Sequence, residues 1–182
     1  MDAGVDWRQE MEVTDGRQFA AYMRTVRKRT LDVVEKVPID RSQWRLSVDS
    51  MSVVDIILHI ASVEQALWGL DMAAGTPGKL REFEKDSMNL SDAIAIMANV
   101  RKGSSEVWSS LTTTQLEQDI LTPTGHSLPL KRWLVLAAEH EIHHRSFIHA
   151  YRKIWGLASS PIYGLTLDEL RQHLEPKPAS DS

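Results

Sequence analysis

The chain contains no cysteine. Disulfide frameworks, thiolate zinc fingers, iron–sulfur clusters and cysteine nucleophiles are thereby excluded, and any metal must be held by His, Asp or Glu. A basic excess is missing too: 21 Lys and Arg stand against 25 Asp and Glu, for a formal net charge of -4. Nothing here neutralises a run of phosphates, so nucleic acid is not an expected partner. No stretch approaches the ~18 consecutive apolar residues of a membrane helix, and no membrane partner is expected. Met1 to Met11 is acidic and lacks an apolar core, so it does not read as a signal peptide. The expectation is a cytoplasmic protein. What remains is 182 residues, 42% of them hydrophobic, which suits one domain with one core.

Apolar residues recur at steps of three and four in four long segments. The first runs from Arg17 to Val37, with Phe19, Tyr22, Met23, Val26, Thr30 and Val33 on one face, Asp15 as N-cap and Pro38 as its stop. A connector over 38–50 carries Arg41, Trp44 and Arg45. The second helix is predicted from about Ser52 to Ala73, with Val53, Ile56, Ile60, Val63, Leu67 and Leu70 as its stripe. Ser52 and Asp55 have capping-box spacing, and Gly75-Thr76-Pro77-Gly78 ends the segment. The third spans about Leu90 to Leu111, with Ser91 as N-cap and Met97, Arg101 and Trp108 facing inward. Thr122-Pro123-Thr124-Gly125-His126 punctuates residues 112–129 as an irregular loop or a short hairpin. The fourth runs from about Leu130 to Trp155 and closes on Gly156. Thr166 and Glu169 have the spacing of a cap for a short C-terminal helix. The fold expected is all-α: a four-helix bundle over residues 17–173, with flexible tails over 1–16 and 174–182.

The seven histidines carry the chemistry. On the fourth helix His140 and His144 lie about 40° apart. The wheel places them on a stripe with Trp133, Leu136, Ala137, Phe147, Tyr151 and Ile154. Two imidazoles one turn apart on an apolar stripe are either hydrogen-bonded core residues or a chelating pair. Two ligands bind weakly, so a third is expected from another element. His59, at the inner edge of the second helix, is the best candidate, and His126 in the Gly/Pro loop is the reserve. His143 flanks the pair as an outer ligand or an exposed residue; His149 projects away and His173 lies near the tail.

The same residues spell His140-Glu141-x-x-His144, the H-E-x-x-H pattern in which two His bind zinc and the Glu activates water. The extended form is absent, since Phe147 and Ala150 stand where Gly and His would be. Glu169 is the downstream ligand that a zinc hydrolase would use.

Taken together, Ser52-x6-His59-Ile60-x3-Glu64-x3-Trp68 and His140-Glu141-Ile142-His143-His144-Arg145, followed by Tyr151, Gly156 and Pro161-Ile162-Tyr163-Gly164, resemble the DinB/YfiT-like family over about residues 17–165. The resemblance implies a four-helix bundle, often a homodimer, with a divalent metal held by His59, His140 and His144. Characterised relatives include transferases and isomerases that use low-molecular-weight thiols. After the last ligand the family often reads Arg-Gly-Gln; here it is Arg145-Ser146-Phe147.

Three imidazoles leave coordination positions open, and a thiol or water held there loses its proton more readily. Imidazole ligation suits zinc or nickel, with iron as a further fit. Glu64, Glu141 and Arg145 are the candidate catalytic residues. Glu141 could instead orient a ligand or face a helix neighbour, and Arg145 could hold a substrate carboxylate or form a surface ion pair. Trp44, Trp68, Trp133 and Tyr151 either wall a pocket or pack in the core. Val135, Ala138 and Ile142 make a second apolar strip opposite the His pair, which suggests a partner surface and a homodimer. The functional expectation is a metal-dependent, thiol-using S-transferase or isomerase. The alternatives are an H-E-x-x-H zinc hydrolase and a non-catalytic dimeric helical bundle.

Overall fold

The computed structural model describes residues 12–73, 78, 80–83, 88–158, 161 and 163–174. The tails expected over 1–16 and 174–182 fall largely outside these, as does most of the Gly75–Gly78 stop. Four long helices dominate. α1 is Gly16–Val34 and α2 is Val53–Val63, the latter continuing as a π-helical turn over Glu64–Trp68 and, after Gly69, as the short α3, Leu70–Ala73. α4 is Leu90–Ser110, and α5 is a single turn, Thr113–Leu116. A two-stranded hairpin, β1 (Asp119–Leu121) and β2 (Ser127–Pro129), leads into α6, Leu130–Ile154. The exposed α7 is Leu167–Leu174. No described helix is long and apolar enough to cross a membrane.

Local chemistry sets the boundaries. Asp15 caps α1 by accepting from the Gln18 amide at 2.7 Å. Ser52 and Asp55 make a full capping box on α2, and Arg45 of the connector neutralises the buried Asp55. α4 starts at Leu90 as predicted, but it is capped by Asn89 rather than Ser91. Gly156, in the left-handed region at φ 75°, closes α6. The punctuated stretch resolves as the hairpin, with Ile120 paired to Leu128 and Gly125 at φ 82° in its turn. Strand alternation was too short to read there, because each strand is three residues long.

Helix α1 packs on α4 and α6, and α2 packs on the same two. Consecutive helices α1 and α2 therefore face each other across the diagonal, while α2 and α6 are neighbours. The apolar core is split into two clusters. One gathers Val33, Ile56, Ile60, Met97 and Ile148; the other gathers Phe19, Met23, Trp68, Trp108 and Leu134. Each long helix contributes to both, and their order along the chain shows α1 and α6 running one way and α2 and α4 the other.

Between the clusters, each helix places one charged side chain inward: Arg27, Glu64, Arg101 and Glu141, none more than 6% exposed. All four opposite-charge pairings are made. Arg27 reaches Glu64 at 2.8 Å and Glu141 at 2.9 Å; Arg101 reaches them at 2.5 and 2.7 Å. Remaining donors go to backbone: Arg27 to the Met97 carbonyl at 2.9 Å, and Arg101 to the Met23 carbonyl. Burial alone would push the Glu141 carboxyl up, but the two guanidiniums outweigh it and hold it below its ordinary value.

Helix α1 begins hard against the end of α4. A Cβ on Gly16 would lie 2.1 Å from the Trp108 carbonyl oxygen. Backbone cannot yield like a side-chain tip, so Gly16→Ala is expected to lose about 2 kcal/mol. For a chain of this size that is a melting point lower by about 4–8 °C. An unchanged thermal midpoint would show that the helix ends separate freely.

Candidate metal centre

Because α2 and α6 are neighbours, His59 meets the α6 pair. The Nε2 atoms of His59 and His140 are 3.2 Å apart. Ring centroids of His59–His144 and His140–His144 are each 4.5 Å apart, and one nitrogen from each of the three rings lies within 4.8 Å of the others. All three rings are half-buried. Trp68 flanks His140 at 5.4 Å between centroids and is itself followed by Trp133. Trp133 is fixed by donating to the Leu67 carbonyl at 2.8 Å.

The electrostatics favour lone pairs over protons. Burial, reinforced by His144 and His59, pushes His140 down to about 3. Burial, with His59 and His143, pushes His144 down to about 4. Both rings are neutral at pH 7. A buried Nδ1 of His144 has no hydrogen-bond partner, which costs about 1–3 kcal/mol unless a ligand or water satisfies it.

This donor set fits a divalent metal. Nitrogens bound to one tetrahedral zinc lie about 3.3 Å apart, close to the His59–His140 separation of 3.2 Å. A cavity of about 470 Å³ opens beside the cluster, with His59 in its wall.

Comparison with known proteins places this architecture. A model of the DinB superfamily matches residues 22–148, well over half of the chain. The chain belongs to the DinB superfamily. It is 22% identical over 148 residues to the uncharacterized protein YjoA of Bacillus subtilis, covering 80% of this chain and 94% of YjoA. The crystal structure of YjoA, a DinB-like protein, superposes with a TM-score of 0.63 at 23% identity, over 80% of this chain and 96% of that one. YfiT of Bacillus subtilis, described as a probable metal-dependent hydrolase with an unusual four-helix bundle topology, gives a TM-score of 0.63 at 14% identity, over 79% and 89%. A DinB-like protein of Bacillus cereus ATCC 10987 gives 0.63 at 15%, over 80% and 95%. These likenesses establish the fold: a DinB-type four-helix bundle.

In this DinB-superfamily chain the other candidates lie elsewhere. His126 is exposed in the hairpin turn, and His173 is exposed with its Nδ1 2.8 Å from the Glu169 carbonyl. His143 is exposed, its ring 5.0 Å from those of His144 and Phe147. His149 sits half-buried on the far side of α6. Glu169 caps α7 through Thr166, as its spacing predicted, and is not in the histidine cluster.

The three proposed catalytic side chains are placed differently from the expectation. Glu64 and Glu141 both point into the ring of buried charges, where arginines take their oxygens. Arg145, read as holding a substrate carboxylate or forming a surface ion pair, is 3% exposed, with its Nη1 3.4 Å from the Val26 carbonyl. The helical wheel was rotated. The buried face of α6 carries Leu134, Ala137, Glu141, Arg145 and Ile148, while Leu136 and Phe147 are exposed and the histidines stand at its margin. Of the aromatics, Trp68 contacts His140, whereas Trp44 and Tyr151 pack with Trp155 in the other cluster. The strip of Val135, Ala138 and Ile142 faces α1 and lines an open groove with Phe19 and Tyr22.

Reading one helix at a time missed Arg27. The available signal was a charge of matching position on the inner stripes of facing helices, Arg27 and Arg101 opposite Glu64 and Glu141.

Proposed function

We propose that this protein binds one divalent metal, zinc or nickel, through His59, His140 and His144, and uses it in thiol-dependent transfer or isomerisation of a small molecule. The observation that supports this is the convergence of three half-buried imidazoles, two of them held neutral, on one point beside an open cavity. Bound there, the ion supplies Lewis acidity that lowers the pKa of a thiol or a water. His59 comes from α2 and His140 and His144 from α6, so the two helices hold the donors apart at a fixed distance. Trp68 shields His140 from water on the bundle side.

The hydrolase alternative needs a carboxylate base at the site, as the H-E-x-x-H pattern supplies in zinc proteases. Here the Glu141 carboxylate is engaged by Arg27 and Arg101. That engagement counts against the H-E-x-x-H mechanism, in which the same Glu must be free to take a proton from water.

Elemental mass spectrometry of the purified protein is the test. Near-stoichiometric metal is expected in the wild type, falling by about tenfold or more in His59→Ala, His140→Ala and His144→Ala. Metal retained without His59, or none in the wild type after reconstitution, would overturn the proposal. A metal-dependent loss of thiol in the presence of an electrophile, without matching ester hydrolysis, would separate transfer from hydrolysis.

A further inference from the structure

We propose that the cavity beside His59 selects a small organic monoanion, with an apolar body against its walls and a carboxylate at Arg81. This deepens the reading of the histidine cluster, on which it rests only for what reacts there; the cavity and its cation are features of the protein itself.

The cavity, about 470 Å³, is within the range of small-molecule sites. Met51, Leu58, Leu80 and Phe83 form its apolar walls, and His59 belongs both to it and to the metal-ligating cluster. A molecule seated there therefore lies next to the reactive centre.

The outer wall is tied in place. Ser62, one turn beyond His59 on α2, donates from its Oγ to the Arg81 carbonyl at 3.1 Å. The Arg81 guanidinium carbon then lies 5.0 Å from the centroid of the Phe83 ring. Stacking on a ring steadies the planar fork without consuming its N–H donors. Among the described residues no carboxylate forms an ion pair with Arg81, although Glu82 is adjacent and lines the same cavity. The exposed guanidinium, oriented at the mouth of the cavity, can take a carboxylate bidentately. Glu82 limits the choice: its charge repels a ligand carrying several negative charges, which favours a monoanion over a polyphosphate.

The test is isothermal titration of the full-length protein, metal-loaded and metal-stripped, with three probes sharing one body: 4-phenylbutanoate, 4-phenylbutan-1-ol and 4-phenylbutylamine. In the stripped protein the acid is expected to bind at least about tenfold more tightly than the alcohol, as a charge-assisted pair provides. Arg81→Gln should abolish that preference and leave the alcohol unchanged; Arg81→Lys should restore part of it. Equal binding of acid and alcohol, a preference for the amine, no effect of Arg81→Gln, or no binding of any probe would overturn the proposal. The metal reading fails separately: a protein that takes up no metal yet prefers the acid through Arg81 loses the metal centre and keeps the anion pocket.

Discussion

Replacing Arg101 with methionine is expected to cost about 3–5 kcal/mol of stability, the typical effect of removing one partner from a buried ion pair. Arg101 serves both acids of the ring, at 2.5 Å to Glu64 and 2.7 Å to Glu141, and its guanidinium also lies over the Trp108 ring at 5.2 Å. Without it two buried carboxylates share the single charge of Arg27. Glu141→Gln removes one of those charges and should be milder alone. Combined with Arg101→Met it leaves one pair, Arg27 with Glu64, so the double variant should lose less than the sum of the singles. Urea denaturation of the three variants measures this. The ring also makes the fold acid-sensitive: the depressed Glu141 carboxyl contributes stability present above its unfolded value and lost as pH falls through the lower folded value. An Arg101→Met protein with an unchanged denaturation midpoint would show that the ring is not what joins the two core clusters. The same series bears on function. A hydrolase using Glu141 as base would lose activity in Glu141→Gln with its fold intact, whereas the ring predicts a loss of stability.

The second large effect is expected from the metal. An ion that binds only the folded state at a thousandfold excess over its dissociation constant adds about 4 kcal/mol, or about 8–16 °C in melting temperature for a chain of this size. Differential scanning fluorimetry of stripped and reloaded protein should show that gain in the wild type and lose it in His59→Ala, His140→Ala and His144→Ala. The stripped protein should also depend on pH in a defined direction. His140 and His144 are lowered from 6.5 to about 3 and about 4. Between those values and 6.5 the unfolded chain binds protons that the folded chain does not. Stability is therefore complete above the unfolded value and is lost as pH falls through the folded ones. A His140→Ala/His144→Ala variant should flatten that slope between about pH 4 and 6.5. Identical melting of stripped and reloaded wild type would remove the metal from the account.

The charge ring and the histidine cluster were legible to different degrees, for a physical reason. Helix caps and stops depend on neighbours three or four residues away, so Asp15, Ser52 with Asp55, Thr166 with Glu169, and Gly156 could be read directly. The i, i+4 pair of His140 and His144 is local in the same sense. His59 at the edge of its stripe came from the same periodicity, and the resemblance to DinB-like proteins supplied the matching motif. Burial of a charge is not local. On its own helix Glu141 or Arg145 looks like a surface residue, because an unpaired charge in a core is costly. Its partners, Arg27 and Arg101, stand 114 and 40 positions away. That is why the α6 wheel came out rotated, with Leu136 and Phe147 inside instead of Glu141 and Arg145. The π-helical turn at Glu64–Trp68 belongs to the same class. It lies where Glu64 enters the ring and Trp68 reaches His140, and no local propensity marks it. By itself, then, the sequence determined the four amphipathic helices, their ends and the histidines available for a site. Only the packing of α2 beside α6, with α1 and α4 supplying the arginines, decided which charges are buried and which carboxylates are already engaged. Those outcomes depend on charge neutralisation across helices, which exists only once all four have come together.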